Sequence, residues 1–346
     1  MSFADQLLAW FDCHGRHDLP WQADKTAYRV WVSEVMLQQT QVSTVVGYFQ
    51  RFMQRFPDVG SLAGAEIDEV LHHWSGLGYY ARARNLHKTA QIIAADYAGA
   101  FPKQRDQLEA LPGIGRSTAA AILAITYDQR EAILDGNVKR VLCRHSGIEA
   151  WPGETAVLKQ LWTLAERLTP SQRVSDYTQA IMDLGATVCT RTKPQCEICP
   201  VAQSCAARSQ NKQQSLPARR PSRRPSEQVL IWLIVESDQG ILLERRNNQG
   251  IWGGLWGFPE FDRKEQALDW LKREWVADAE LGPIMPVIQH RLTHRLMHIQ
   301  PIRVRLNNPA FSVMEADQRL WYKGEPQVAL GLAAPVTQLL KQLHVT

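Results

Sequence analysis

The sequence predicts two domains of different class, an all-α portion over residues 1–206 and an α+β portion over 227–346. Three observations carry this. Apolar residues recur at helical spacing through the first two-thirds of the chain. After Glu227 the pattern changes to short β-branched runs separated by turns. Between the two lie four clustered cysteines and then a basic, proline-punctuated stretch, Arg208–Ser226, which reads as an exposed linker over 207–226. At 346 residues, two hydrophobic cores are the expected arrangement.

Residues 1–15 form an amphipathic helix with Phe3, Leu7, Leu8, Trp10 and Phe11 available for packing, followed by the loop His17–Trp21. In the next helix, Ala27–Gln38, the residues Ala27, Val30, Trp31, Glu34, Val35 and Gln38 share one stripe. Glu34 therefore sits among apolar neighbours. A carboxyl there is desolvated and its pKa rises, which suits a general acid near neutral pH. Periodicity alone favours a structural carboxylate paired with an arginine or a helix N-terminus, since structural pairs also perturb carboxylates. Helices are also expected over Val42–Phe56 and Glu66–Trp74. The segment Ser75–Leu86 then combines a glycine turn, Tyr79 and Tyr80, and a helix start bearing Arg82 and Arg84, a reasonable surface for a wedge and phosphates.

The chain is organised around Leu108–Arg144. Leu111-Pro112-Gly113-Ile114-Gly115 is a tight turn in which both glycines can adopt positive φ, and a helix begins near Arg116 with Ser117 and Thr118 in its first turn. Helix, Gly-x-Gly turn, helix over 108–125 is a helix-hairpin-helix pattern, whose bare backbone and helix N-terminus suit a nucleic-acid phosphate. Asp135 stands ahead of a further helix, Asn137–His145, where an N-cap role would be ordinary. Helices over Glu154–Leu168 and Tyr177–Leu184 complete the first portion. In the second, strands are expected at Gln228–Val235, Gly240–Glu244, Val287–His290 and Met297–Leu306, with helices at Arg263–Ala277 and Val336–Leu343. His290, His294 and His298 are spaced by four, but turn-plus-strand surroundings scatter them, so a metal face is not expected.

The net charge is +4, with the basic excess concentrated at Arg208, Lys212, Arg219, Arg220, Arg223 and Arg224, so surface-wide steering is weak. No apolar run reaches the ~18 residues of a membrane span, and the N-terminus lacks a signal-peptide layout. The chain reads as a cytoplasmic monomer, nucleoid-associated if bacterial. Cys189, Cys196, Cys199 and Cys205 form a C-x6-C-x2-C-x5-C cluster, which points to metal rather than disulfides, whereas Cys13 and Cys143 stand apart.

Glycine hairpin and following aspartate together resemble the endonuclease III superfamily of DNA glycosylases. Trp31–Val42, with Glu34 inside it, is similar to the signature of the MutY-type adenine DNA glycosylases, and Trp252-Gly253-Gly254-Leu255-Trp256-Gly257-Phe258-Pro259 resembles the MutT-like (Nudix-fold) domain of the same enzymes. The resemblance covers residues 1–206 and 227–346. It implies excision of adenine paired with 8-oxoguanine or guanine in double-stranded DNA, with Glu34 as the acid and Asp135 stabilising or attacking the cationic sugar. It implies one 4Fe–4S cluster held by the four cysteines, with a zinc ribbon as the alternative. Gln38 and Tyr79 match residues that fill or pry the stack; Trp21, Asn137 and Gln179 match positions near the flipped base or the aspartate. Gly113, Gly115, Lys139 and Arg140 are implied phosphate contacts. Ser117 stands where bifunctional relatives carry a Schiff-base lysine, which implies a monofunctional enzyme. Leu292-Thr293-His294 falls where the family reads 8-oxoguanine; Thr293 keeps the family's hydroxyl, and Leu292 replaces its aromatic.

Three alternatives compete with this reading. A pyrimidine-lesion or thymine-mismatch glycosylase is disfavoured by Ser117 and by the C-terminal domain, a non-catalytic iron–sulfur DNA-binding protein by the presence of both carboxylates. A Nudix hydrolase is disfavoured because the helix from Arg263 lacks the acidic cluster that holds Mg²⁺.

Overall fold

The computed structural model describes residues 1–220, 225–275, 279–306, 318–323 and 329–343. Twelve helices appear up to the second portion: α1 (Phe3–His14), α2 (Ala27–Leu37), α3 (Val42–Arg55), α4 (Val59–Ala63), α5 (Ile67–Trp74), α6 (Ala81–Asp96), α7 (Arg105–Glu109), α8 (Arg116–Tyr127), α9 (Gly136–Ser146), α10 (Thr155–Leu168), α11 (Val174–Asp183) and α12 (Ala206–Ser209). Helix α4 was not expected; at five residues it is too short to show a periodic face, and the Asp58–Ser61 capping box defines it instead. A π-helical turn, Leu184–Val188, extends α11 towards Cys189. Among the described residues, no helix is long and apolar enough to cross a membrane.

The chain divides into two compact units, 1–64 with 85–222, and 65–84 with 223–346. At the centre of the first unit lies α8, whose residues Ala119–Ala124 are at most 1% exposed. Its small side chains let α2 and α11 approach closely. A second layer joins Phe3, Leu7 and Phe11 of α1 to Val138, Val141 and Leu142 of α9. The segment following the cysteines is not a free linker at its start. Leu216 is buried and its carbonyl accepts a 2.8 Å bond from Arg144, while Lys212 pairs with Glu149. Arg219 and Arg220 are exposed; Arg223 and Arg224 lie outside the described residues.

In the second unit a mixed sheet has the order β3-β2-β1-β7-β5, with β4 on β1, β6 on β7 and β8 on β2. Its strands are β1 (Ser226–Ser237), β2 (Gly240–Arg245), β3 (Trp256–Gly257), β4 (Glu260–Phe261), β5 (Ala279–Ile284), β6 (Ile288–Arg291), β7 (Arg295–Leu306) and β8 (Arg319–Tyr322). Strands β1 and β7 pair in parallel, from Ser226↔Arg295 to Glu236↔Arg305. The continuous apolar run Leu230–Val235 is buried on both faces, as a central strand requires. Helix α13 (Lys264–Glu274) packs Ala267, Trp270 and Leu271 against that sheet, and α14 (Ala334–Leu343) buries Val336, Leu339 and Leu340. Strands β3, β4, β5 and β8 escape periodicity because two of them are dipeptides and the others carry no clear alternation.

The linear division placed 65–84 in the helical portion, whereas contacts group it with the later residues. Asp68 pairs with Arg245 at 2.8 Å, the His72 ring meets the Leu330 carbonyl at 3.3 Å, and the Tyr80 hydroxyl donates to the Leu332 carbonyl at 3.1 Å. Arg84 donates to the Gly253 carbonyl, within the Trp252–Pro259 segment.

Candidate active site

Glu34 occupies the third turn of α2, the helix packed on α8. Trp31, Val32, Ser33 and Val35 beside it are buried, and the Glu34 side chain keeps only partial exposure. Burial pushes its carboxyl up to about 8, and the charge of Asp135 adds to the rise. The acid is thus protonated at neutral pH, and the second carboxyl lies near enough to matter electrostatically. The predicted desolvation on the apolar stripe is present.

Asp135 is the N-cap of α9, its Oδ1 accepting the Val138 N–H at 2.7 Å. Burial raises its pKa; backbone N–H groups of Val138 and Asn137 and the charges of Arg140 and Lys139 oppose that rise. The N-cap role and the proximity to a second carboxyl coexist. Ser117, in the first turn of α8, accepts the Leu134 N–H at 3.0 Å, so α8 holds the residue immediately before Asp135.

The hairpin turn is pinned by the Ile114 N–H on the Leu111 carbonyl at 3.2 Å and by Thr89, which donates to the Pro112 carbonyl at 2.8 Å. Gly113 has φ +78°, and a Cβ there would stand 2.8 Å from that of Asn85. Gly115 does not use the left-handed region: its φ is −92°. It is the N-cap of α8 with no side-chain cap bond, and a Cβ added there would meet nothing within 4 Å. Its value is therefore openness at the helix start.

Other expected site residues are distributed as follows. Gln38, half-buried, ends α2. Trp21 is buried, edge-on to Phe49 at 5.5 Å. Gln179 is buried on α11, its amide donating to Asp183 at 2.8 Å, and Asp183 is held by Arg16 at 2.5 Å. The Asn137 side-chain oxygen accepts from Arg140 Nη2 at 2.8 Å. Arg140 turns inward, against the phosphate-contact expectation. It also donates to the carbonyls of Cys189 at 2.8 Å and Gly185 at 2.6 Å, because α9 packs on the π-helical turn. Lys139 keeps partial exposure beside Asp135.

Tyr79, Thr293 and His294 belong to the second unit. Tyr79 is exposed, sits at φ +49° after two positive-φ glycines, and its hydroxyl meets that of Thr293 at 2.8 Å. Arg82 braces this loop by donating to the carbonyls of Leu77 and Gly78, both at 3.1 Å, and lies 5.6 Å from the Tyr79 ring centre. Thr293 and His294 are exposed in the turn between β6 and β7, closed by the Leu292 N–H on the Arg295 carbonyl at 2.8 Å. His290 lies on β6 and His298 on β7, in separate strands.

Cys189, Cys196, Cys199 and Cys205 line one cavity with Arg144 and Arg208. Among the described residues, no three His, Cys, Asp or Glu side chains converge tightly enough for a single ion. Four soft thiols around a shared cavity with guanidinium groups on its wall suit an anionic polynuclear cluster better than one tetrahedral zinc.

Sequence reasoning missed Arg144 and Asp183 with Arg16; it singled out Arg82 for a phosphate surface, and the structure has that guanidinium bracing the Leu77–Gly78 backbone. Arg140 and Arg144 are separated by one helical turn within the otherwise apolar part of α9, the only local signal for the first of these.

The glycine hairpin leading into α8 and the capped aspartate of α9 place the helical portion in the helix-hairpin-helix class. Residues 32–167 match the HhH-GPD superfamily of base excision DNA repair proteins, 189–205 the iron–sulfur binding domain of endonuclease III, and 230–342 the NUDIX domain. Adenine DNA glycosylase of Buchnera aphidicola subsp. Acyrthosiphon pisum is 39% identical over 98% of this chain and 97% of its own length. A thermostable thymine-DNA glycosylase aligns over 60% of this chain and 95% of its own, with TM-score 0.53 and 26% identity. Endonuclease III in a non-covalent DNA complex covers 60% of this chain and 94% of its own, with TM-score 0.52 and 22% identity, a likeness of fold. The chain belongs to the adenine DNA glycosylase family. It carries a 4Fe–4S cluster.

Proposed function

We propose that this glycosylase removes adenine mispaired with 8-oxoguanine or guanine in duplex DNA, hydrolysing the N-glycosidic bond without cutting the strand. The observation that carries the reading is the pair Glu34 and Asp135, in which burial and a neighbouring carboxylate keep Glu34 protonated at neutral pH. With the base flipped out of the stack, Glu34 donates its proton to a ring nitrogen of adenine's imidazole portion. The C1′–N9 bond breaks, and its electron pair leaves with the base. Asp135, held by the α9 N-terminus, supplies the carboxylate that stabilises or captures the cationic sugar. Water then adds at C1′, any C1′–O bond to Asp135 breaking with its electron pair returning to that carboxylate, and the water proton passes to a carboxylate.

Ser117 supplies no amine, so no Schiff base forms and the abasic strand stays intact. The four cysteines hold the cluster, which when bound orders the loop 189–205 and takes no part in hydrolysis. Residues 1–206 serve catalysis and 227–346 serve recognition, with Thr293 and His294 reading the opposite base beside Tyr79; the exposed hydroxyl pair supports that assignment. The enzyme acts as a cytoplasmic monomer.

Single-turnover excision tests this, using duplexes with adenine opposite 8-oxoguanine, adenine opposite guanine, thymine opposite guanine, and an oxidised pyrimidine, each with and without alkali. Adenine release with breakage only after alkali is the expected result. Pyrimidine release, or breakage without alkali, would overturn the substrate or the monofunctional assignment.

A further inference from the structure

Arg144 is 2% exposed, and among the described residues no carboxylate pairs with it. Its guanidinium is instead spent on the cysteine loop. Nη1 donates to the Cys189 sulfur at 3.3 Å, to the Cys189 carbonyl at 3.3 Å and to the Thr190 carbonyl at 2.7 Å. Nη2 reaches the Arg191 carbonyl at 3.1 Å, and Nε the Leu216 carbonyl at 2.8 Å. The Cys205 sulfur lies 3.5 Å from the backbone carbonyl of the same residue. One residue thus touches the first and last cysteines of the motif and the segment beyond them.

Apart from the Cys189 sulfur, this buried guanidinium meets neutral carbonyls, and dipoles do not replace a counter-charge in a low dielectric. The missing anion is at hand if the cavity beside it holds thiolates. We propose that Arg144 is the buried counter-cation of the iron–sulfur cluster, donating an N–H···S bond to Cys189 and clasping the loop that carries it. Hydrogen bonds to ligand sulfur and nearby positive charge favour the more electron-rich cluster, so Arg144 raises its reduction potential. Cluster and guanidinium then stabilise each other, and losing either leaves the other's charge buried and unpaired. The proposal rests on the four cysteines being the ligands, which iron and sulfide analysis of the wild-type protein tests separately.

The experiment uses full-length holoprotein with Arg144→Lys, which keeps the charge but loses the fork, and Arg144→Gln, which keeps an N–H donor but loses the charge. Iron content, the rate at which visible cluster absorbance is lost in air, and the cluster reduction potential are measured. Both variants are expected to lose iron several-fold faster and to show a lowered potential, more so for Gln. Substoichiometric iron in Gln with helical circular dichroism intact also supports the proposal. Full iron loading with wild-type potential and wild-type loss rate in both variants overturns it, whatever happens to their melting temperatures. Should the Gln variant not fold, the potential of the Lys variant alone decides.

Discussion

The phenolic oxygen of Tyr79 lies 2.8 Å from the hydroxyl oxygen of Thr293, a residue 214 positions further along the chain. Tyr79 takes a left-handed backbone there, and the Arg82 guanidinium lies 5.6 Å from its ring centre. In the proposed reading, wedge and reader are joined. Tyr79→Phe and Thr293→Val should each weaken binding to an adenine:8-oxoguanine duplex several-fold. The double variant should be less than additive, because each single change breaks the same bond. Titrations with duplexes carrying adenine opposite 8-oxoguanine, guanine or thymine check this, and full additivity would separate the two residues functionally.

Replacing Glu34 by Gln should abolish most catalysis while leaving DNA binding near wild type. The expected loss is about 10²–10⁴-fold, the usual range for a general acid. Single-turnover rates and a separate binding isotherm distinguish the two effects.

The same replacement should stabilise the fold. The Glu34 pKa rises from 4.5 to about 8 on folding, so the native state binds more protons than the unfolded chain between those values, and wild-type stability falls as pH rises through them. Gln carries no such cost. Its advantage should be absent below pH ~4, grow towards pH ~8, and amount to a few degrees in melting temperature at neutral pH. Thermal denaturation across that range provides the check; an advantage independent of pH would point to packing instead.

The pH dependence of the wild-type excision step has two limbs. Activity should decline as Glu34 loses its proton near pH 8. On the acid side it should decline as Asp135 takes one up, at a pH above the ordinary aspartate range because burial raises that group. In Glu34→Gln the alkaline limb should disappear from the residual rate.

Ser117→Ala removes the acceptor for the Leu134 N–H and with it a tie between α8 and the chain entering Asp135. The single-turnover rate should drop about three- to tenfold with the DNA affinity little changed, the cost of a misplaced carboxylate. Ser117→Thr, which keeps the hydroxyl, should restore most of it.

Features encoded by spacing were legible from the sequence alone. The 3.6-residue periodicity located the major helices and placed Glu34 on a buried stripe, and the Pro-Gly-x-Gly turn and four cysteines were local words. The run Leu230–Val235 identified the central strand. Contacts between distant residues were decided only by tertiary structure. Helix periodicity places Arg140 and Arg144 on α9 but does not say that both guanidiniums turn to the cysteine loop, since that follows from how α9 packs on the π-helical turn. Glycine at 115 permits positive φ, and the helix start takes an extended cap instead. The grouping of 65–84 with the later residues rests on pairs such as Asp68 with Arg245 and Tyr79 with Thr293. A local pattern fixes which conformations a segment favours; which face meets which partner depends on the burial that the whole chain achieves.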